Sequence, residues 1–404
     1  MAVRLFRGGL FVAIVALGLA IVLTPEAQSC PFCTMQGQTL TGEINQASMV
    51  LFGTLKNARL SSNPAEAEGF TDLDIEAVIK DHPILEKKKT LTLRRYIPQD
   101  QKKPFKYLIF CDVFEKKIDP YRGVAFDAST DVAKYLTGAM TVKDASIPKR
   151  LEFYFNFLDS PDLEVSNDAY KEFGNADYKD FRDMAGKIPA AKVVSWIEDN
   201  KTPNFRLGLY ASMLGHCGKP EHAPVLKKML DDPEKRQLGS LDGILAAYTM
   251  LAPKEGWDYL TGFLTDPAKD FMLRWGALRA ARFFHDYRAD IISKEKVLAS
   301  LQPLLKQSDI ADLAIEDLRK WKAWGMTAEV LGIQNTDAFK VAIVRRSILR
   351  FALSAAQEKP EAKAYVRKIE KENPDMVKDA MELLKLEDQP QPATAPMKTS
   401  IQTK

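Results

Sequence analysis

From residue 150 onward the chain repeats itself. Five apolar helical segments close alike: FYFNFLDSP, KVVSWIEDN, VLKKMLDDP, YLTGFLTDP and SLQPLLKQS. Their last apolar residues, Leu158, Ile197, Leu230, Leu264 and Leu305, are spaced by 39, 33, 34 and 41 residues. A period of that size, with Asp, Pro or Ser at each break, predicts serially stacked helix pairs. One pair cannot bury both of its apolar stripes, so each unit needs its neighbour. The intervening segments are themselves amphipathic: FRLGLYASMLG (205–215), LDGILAAYTML (241–251), MLRWGALRAARFF (272–284) and VAIVRRSILRFAL (341–353). Their alanines and glycines let neighbouring backbones approach. Residues 150–386 are therefore expected to form an α-solenoid, with Ala362–Leu386 as a charged helical cap. Residues 387–404 are polar and Pro-rich and are expected to be disordered.

Before residue 145 the period changes to two. Ala47–Leu60 opens with the buried-strand run Met49-Val50-Leu51-Phe52, followed by Gly53, a bulge signal. Phe70–Ile79 sets Phe70, Leu73, Ile75 and Ala77 against Asp72, Asp74 and Glu76, the pattern of a half-exposed strand. Lys89–Ile97 alternates again, Tyr107–Val113 reads as a central strand, and Arg122–Phe126 supplies a fifth. Thr130–Thr137 reads as a short helix with Asp131 near its start. Five short strands and one small helix suggest a Greek-key barrel of the oligonucleotide/oligosaccharide-binding (OB) type.

The first 29 residues read as an export signal: Arg4 and Arg7, an uncharged apolar run from Gly8 to Leu23, then Ala27-Gln28-Ser29 before Cys30. That run is shorter than the ~20 residues a spanning helix needs. An uncleaved anchor and acylation of Cys30 are the alternatives to cleavage. Each places the rest of the chain outside the cytoplasm, periplasmic or secreted, with no membrane span after signal cleavage. Lys+Arg 57 against Asp+Glu 54 leaves +3, which gives no reason to invoke nucleic acid as the partner.

Two resemblances follow from these residues. The helical half is similar to HEAT-type repeats over roughly residues 150–385. The N-terminal half resembles netrin-like domains, the fold of tissue inhibitors of metalloproteinases. That likeness is carried by Cys30 and Cys33, the segment Ala47–Gly53, the strand ending Val78-Ile79-Lys80, and Tyr107-Leu108-Ile109-Phe110. Those inhibitors begin Cys-x-Cys, whereas this chain has Cys30-Pro31-Phe32-Cys33, so their zinc-chelating terminus does not carry over. A CPFC start, such a barrel and a helical-repeat tail together also resemble exported planctomycete-type proteins of uncharacterised role. The fold expected is α+β and multidomain: a small five-stranded OB/netrin-like β-barrel over 30–145, then an α-solenoid of HEAT-like helix pairs over 150–386.

The sharpest local chemistry is Cys30-x-x-Cys33. A redox reading needs a preceding strand and a following helix to lower one thiol pKa. A zinc reading needs two more ligands, and Cys111 and His82 fit no ribbon or finger spacing. The structural reading is a disulfide from Cys33 or Cys30 to Cys111. Cys217, with His216 and His222 close by, is read as a buried free thiol. Asp72, Asp74 and Glu76 share one strand face and are read as a solvated face in preference to a Ca²⁺ site. Arg94-Arg95-Tyr96, behind Lys87-Lys88-Lys89, sets basic groups beside an aromatic ring on a barrel strand. Barrels of this class bind polymers there; a lysine-protected edge strand is the plainer reading. Arg274, Arg279, Arg282 and Arg288 lie near Trp275, Phe283, Phe284 and Tyr287, as a concave peptide-binding face or as side chains snorkelling over a core.

No H-E-x-x-H, G-x-S-x-G, G-x-x-x-x-G-K-[ST] or G-x-G-x-x-G occurs, which removes the common zinc-protease, serine-hydrolase, P-loop and dinucleotide readings. No cofactor or resident metal is predicted. The expectation is an exported, non-catalytic protein-interaction protein; the alternative is an extracytoplasmic thiol–disulfide or metal-binding protein acting through Cys30 and Cys33. Neither the partner nor the oligomeric state can be read from the sequence.

Overall fold

A computed structural model describes residues 31–33, 35–62, 68–99, 102, 104–236 and 240–387. The expected leader, Cys30 and the tail 388–404 lie outside them. A short helix, Leu40–Gln46, comes first, capped by the Thr39 hydroxyl, which accepts the Gly42 N–H at 2.9 Å. Five strands follow: β1 (Met49–Leu60), β2 (Gly69–Lys80), β3 (Thr90–Leu93), β4 (Phe105–Phe114) and β5 (Lys117–Asp127). They form one antiparallel sheet in the order β3-β2-β1-β4-β5.

The expected barrel is an open sheet. Closure would require β3 to pair with β5, and among the described residues these strands are the two ends of the sheet. β3 is also shorter than the alternation of Lys89–Ile97 predicts. The cause is Thr71, whose hydroxyl donates to the Arg95 carbonyl at 2.8 Å and accepts the Ile97 N–H at 2.9 Å. That side chain takes over the backbone groups a longer strand would have paired.

β1 and β4 are buried on both faces, which explains their unbroken apolar runs. Val50 and Phe52, with Leu108, Phe110, Ile79 and Phe126, face the helices and join one apolar cluster that continues through them as far as Ala380. Met49, Leu51, Leu55, Leu73, Leu93, Ile109 and Cys111 face the other way and form a smaller cluster, covered at one end by Leu85. A register shift falls between Phe52 and Gly53, where the bulge was expected. On β2 the carboxylates are paired: Asp72 with Arg59 at 3.0 Å, Asp74 with Lys56 at 2.5 Å, Glu76 with Lys106.

From Val132 the described residues are helices and turns. Ala190–Glu198 packs on Leu207–Cys217, that helix on Leu241–Leu251, and that one on both Pro253–Leu264 and Phe271–Tyr287. Ala311–Lys320 packs on Ala342–Ala355, which meets Pro360–Glu372 and Pro374–Glu387. The five repeat-closing residues Leu158, Ile197, Leu230, Leu264 and Leu305 are all buried. In Leu241–Leu251 every residue but Met250 is buried, so this helix is covered on all sides. The expected terminal cap is broken in two at Pro374, which lacks the N–H a continuous helix needs. Among the described residues no helix is long and apolar enough to cross a membrane.

Candidate functional site

The segment that carries the Cys-x-x-Cys pattern is threaded into the helices. Phe32 is buried against Phe283, ring centroids 4.8 Å apart. Arg279 donates to the Pro31 carbonyl at 3.4 Å. Further along, Gly37 and Asn175 exchange two hydrogen bonds, and the Leu40 N–H donates to Asp168 at 2.6 Å. The Met35 carbonyl lies so close to Gly174 that any Cβ there would collide with it. Glu172 bonds the Thr39 side chain and sits 3.5 Å from Arg150. The backbone of Gly37 and Leu40 is thus read by the helix Leu163–Asn175.

This placement overturns the Cys111 bridge. Cys33 is disulfide-bonded and packs beside the helical core, whereas Cys111 is a buried free thiol. The Cys111 side chain belongs to the cluster on the opposite face of the sheet, out of reach of Cys33. Burial pushes the Cys111 thiol up to about 12, with Asp119 and Asp112 adding to it. Cys217 is also free, and burial raises it to about 11. Its neighbour His216 accepts from or donates to Tyr178 at 2.8 Å through Nε2 and contacts the Ser212 carbonyl at 2.7 Å through Nδ1. Burial, with Arg288 and Arg182 nearby, lowers His216 to about 4, so it is neutral at pH 7 and Nδ1 carries the donated proton. His222 instead accepts the Lys219 N–H in an exposed turn. Among the described residues no group of three or more His, Cys, Asp or Glu is placed to hold a metal.

The basic stretch on the sheet does line a cavity. Between the ends of β3 and β5 lies a space of about 390 Å³. Arg94 and Arg95, both exposed, stand on its β3 side. Leu93, Ile97, Ile109 and Ile118 form apolar wall, and Tyr107 and Tyr121 add rings. Tyr96 is not part of this lining; its Cβ packs toward Gly69. On β5, Gly123 stands opposite Ile109 and lines the cavity, and Ala125 stands opposite Tyr107. Asp119 is the one carboxylate in the lining. Arg122, which the sequence reading left out, pairs with the buried Glu43 and lies 5.5 Å over the Phe110 ring. Burial holds the Glu43 carboxyl above its usual range even with Arg122 beside it.

Arg274, Arg279, Arg282 and Arg288 are ion-paired within the fold. Arg274 is buried and donates to Gln307 at 2.6 Å and Asp309 at 3.0 Å. Arg279 pairs with the buried Asp242 at 2.5 Å, and Arg282 with Asp317 at 2.7 Å. Arg288 holds Asp290 through two nitrogens. Each of the first three ties one helical segment to another, so these charges meet their partners within the fold. The seam cavity is a basic cluster that opens to solvent over an apolar wall. No protein-family model matches the chain, and no curated protein matches it.

Proposed function

We propose that this chain is an exported, non-catalytic binding protein that takes an anionic ligand at the open seam between β3 and β5. The observation that carries the reading is the cavity of about 390 Å³ with Arg94 and Arg95 at its rim and isoleucines on its wall. Its size falls in the range of ~300–1,000 Å³ usual for ligand pockets. Two guanidiniums over an apolar floor favour a ligand that has negative charge and some apolar surface. The strand order supports an OB/netrin-like ancestry with one seam left open. The succession of packed helices supports a HEAT-like stack, whose role here is to hold the sheet and the N-terminal segment in place. Export rests on residues 1–29.

A titration of fluorescent poly-L-glutamate against the full chain tests this. The Arg94→Ala/Arg95→Ala variant should lose about tenfold in affinity, a change of ~1.4 kcal/mol, and binding should weaken with salt. Unchanged affinity in that variant would remove the seam from the function. Deleting the helical half is not an equivalent test, because the sheet face bearing Val50 and Phe52 shares its core with the helices.

One observation favours a second reading, thiol–disulfide chemistry at the N-terminus. Cys33 is disulfide-bonded while Cys111 and Cys217 are free, and Cys30 lies outside the described residues. A Cys30–Cys33 bridge that reduces readily in dithiothreitol and reoxidises a reduced test peptide would support it. A bridge that resists reduction until the fold is unfolded would place it with structure.

A further inference from the structure

We infer that the ligand of the seam is an extended peptide segment, alternating acidic and apolar residues, that enters between β5 and β3 as an added strand. The inference rests on the seam being an anion-binding site and names the class of anion.

The first argument is the edges. β5 is 11 residues long and ends the sheet on one side; β3 ends it on the other. Among the described residues each has one edge outside the sheet's pairing, and backbone N–H and C=O groups at such an edge are templates for another strand. Pro120 removes one donor near the start of β5, which leaves Tyr121–Asp127 for pairing, with Tyr121, Arg122 and Gly123 beside the cavity. The second argument is the period of the wall. An added strand points every second side chain inward, and Ile109, Ile118, Leu93 and Ile97 offer apolar surface there. Gly123, opposite Ile109, adds no side chain of its own to that wall. The third argument is charge. The alternate, outward side chains of the added strand would face Arg94 and Arg95, which selects carboxylates.

A sulfated glycan would satisfy the arginines alone. It has no row of amides to meet a strand edge and no alternating apolar groups to cover the isoleucines. The peptide uses all three features at once.

The test uses the full chain and an acetylated eight-residue peptide alternating glutamate and valine, followed by fluorescence anisotropy and amide hydrogen exchange. The peptide should bind and should slow exchange in residues 121–127. N-methylating its amides along one edge keeps charge and side chains but blocks strand pairing, and should weaken binding by about tenfold or more. Arg94→Glu/Arg95→Glu should do the same in protein that circular dichroism shows to be folded. If the methylated peptide binds equally well, or a heparin hexasaccharide binds through Arg94 and Arg95 while the peptide does not, the peptide assignment is overturned and the anionic-ligand reading stands. If neither probe binds at low salt, both fall.

Discussion

Asn175 reads the backbone of Gly37 in both directions: the Gly37 N–H donates to Oδ1 at 3.0 Å, and Nδ2 donates to the Gly37 carbonyl at 2.7 Å. A side-chain amide used this way holds the main chain in register whatever side chain it carries. Beside it, Phe32 supplies the apolar anchor, buried against Phe283. The two contacts should differ in weight. Phe32→Ala should cost ~3–5 kcal/mol, the usual figure for a buried ring left as a cavity. Asn175→Ala should cost ~1 kcal/mol, because its bonds are exposed. Urea unfolding of the oxidised protein measures both, and an unchanged midpoint for Phe32→Ala would mean the segment does not dock.

Asp168 links the same segment to pH. It accepts the Leu40 N–H at 2.6 Å and the Tyr135 hydroxyl at 2.8 Å. Burial outweighs both donors and pushes its carboxyl from 3.8 to about 7. A folded pKa above the unfolded one means that ionisation costs the native state. The contribution of Asp168 is therefore whole below pH 3.8 and is lost as pH rises through about 7. Asp168→Asn keeps an acceptor for Leu40 and cannot ionise. Melting temperatures of the two proteins from pH 4 to 8 should diverge, with the variant gaining on the wild type as pH rises. Parallel curves would show that Asp168 ionises as freely folded as unfolded.

These contacts show where sequence reasoning stops. Helix Leu241–Leu251 has the limits its apolar pattern predicts, and Gly53 marks a register shift, because both signals are local. Phe32 and Phe283 meet across most of the chain, and nothing near either residue announces the other. Tyr107 was legible as a strand residue, but the cavity it lines brings it together with Arg94 and Ile118 from the two ends of the sheet, a matter of topology. The arginine pairs are an intermediate case. Arg274 meets Asp309 and Arg282 meets Asp317, each 35 residues on, within the 33–41-residue spacing of the similar sequence segments. An arginine and an aspartate at that spacing is a readable signal, and it marks Arg274 and Arg282 as ties between separate helical segments.

The thiols give a chemical prediction. Only the thiolate attacks an alkylating reagent, and burial raises Cys111 to about 12 and Cys217 to about 11. Iodoacetamide at pH 8 should therefore leave both unmodified in the folded, unreduced protein and label both on unfolding. Reduction before unfolding should add Cys33 to the labelled set. A peptide map under non-reducing conditions that places Cys111 in a bridge would contradict the fold, since it would have to cross the sheet.

Two glycines in adjacent helices separate packing from propensity. A Cβ on Gly243 would lie 2.7 Å from the Gly208 carbonyl oxygen and 3.0 Å from its Cα, so the helices Leu207–Cys217 and Leu241–Leu251 touch backbone to backbone there. The Phe32 carbonyl in turn lies 3.0 Å from where a Cβ on Gly208 would stand, so the N-terminal segment rests on the same crossing. Gly262, in Pro253–Leu264, has nothing within 4 Å of its added Cβ. Alanine favours a helix over glycine by ~1 kcal/mol at both sites. Gly262→Ala should gain up to that amount. Gly243→Ala should lose ~1–3 kcal/mol net, the cost of forcing two close backbones apart. Because the crossing carries Phe32, Gly243→Ala should also speed proteolysis within residues 31–39, which Gly262→Ala leaves untouched. Equal effects of the two substitutions on thermal unfolding would show that the crossing is looser than these distances require.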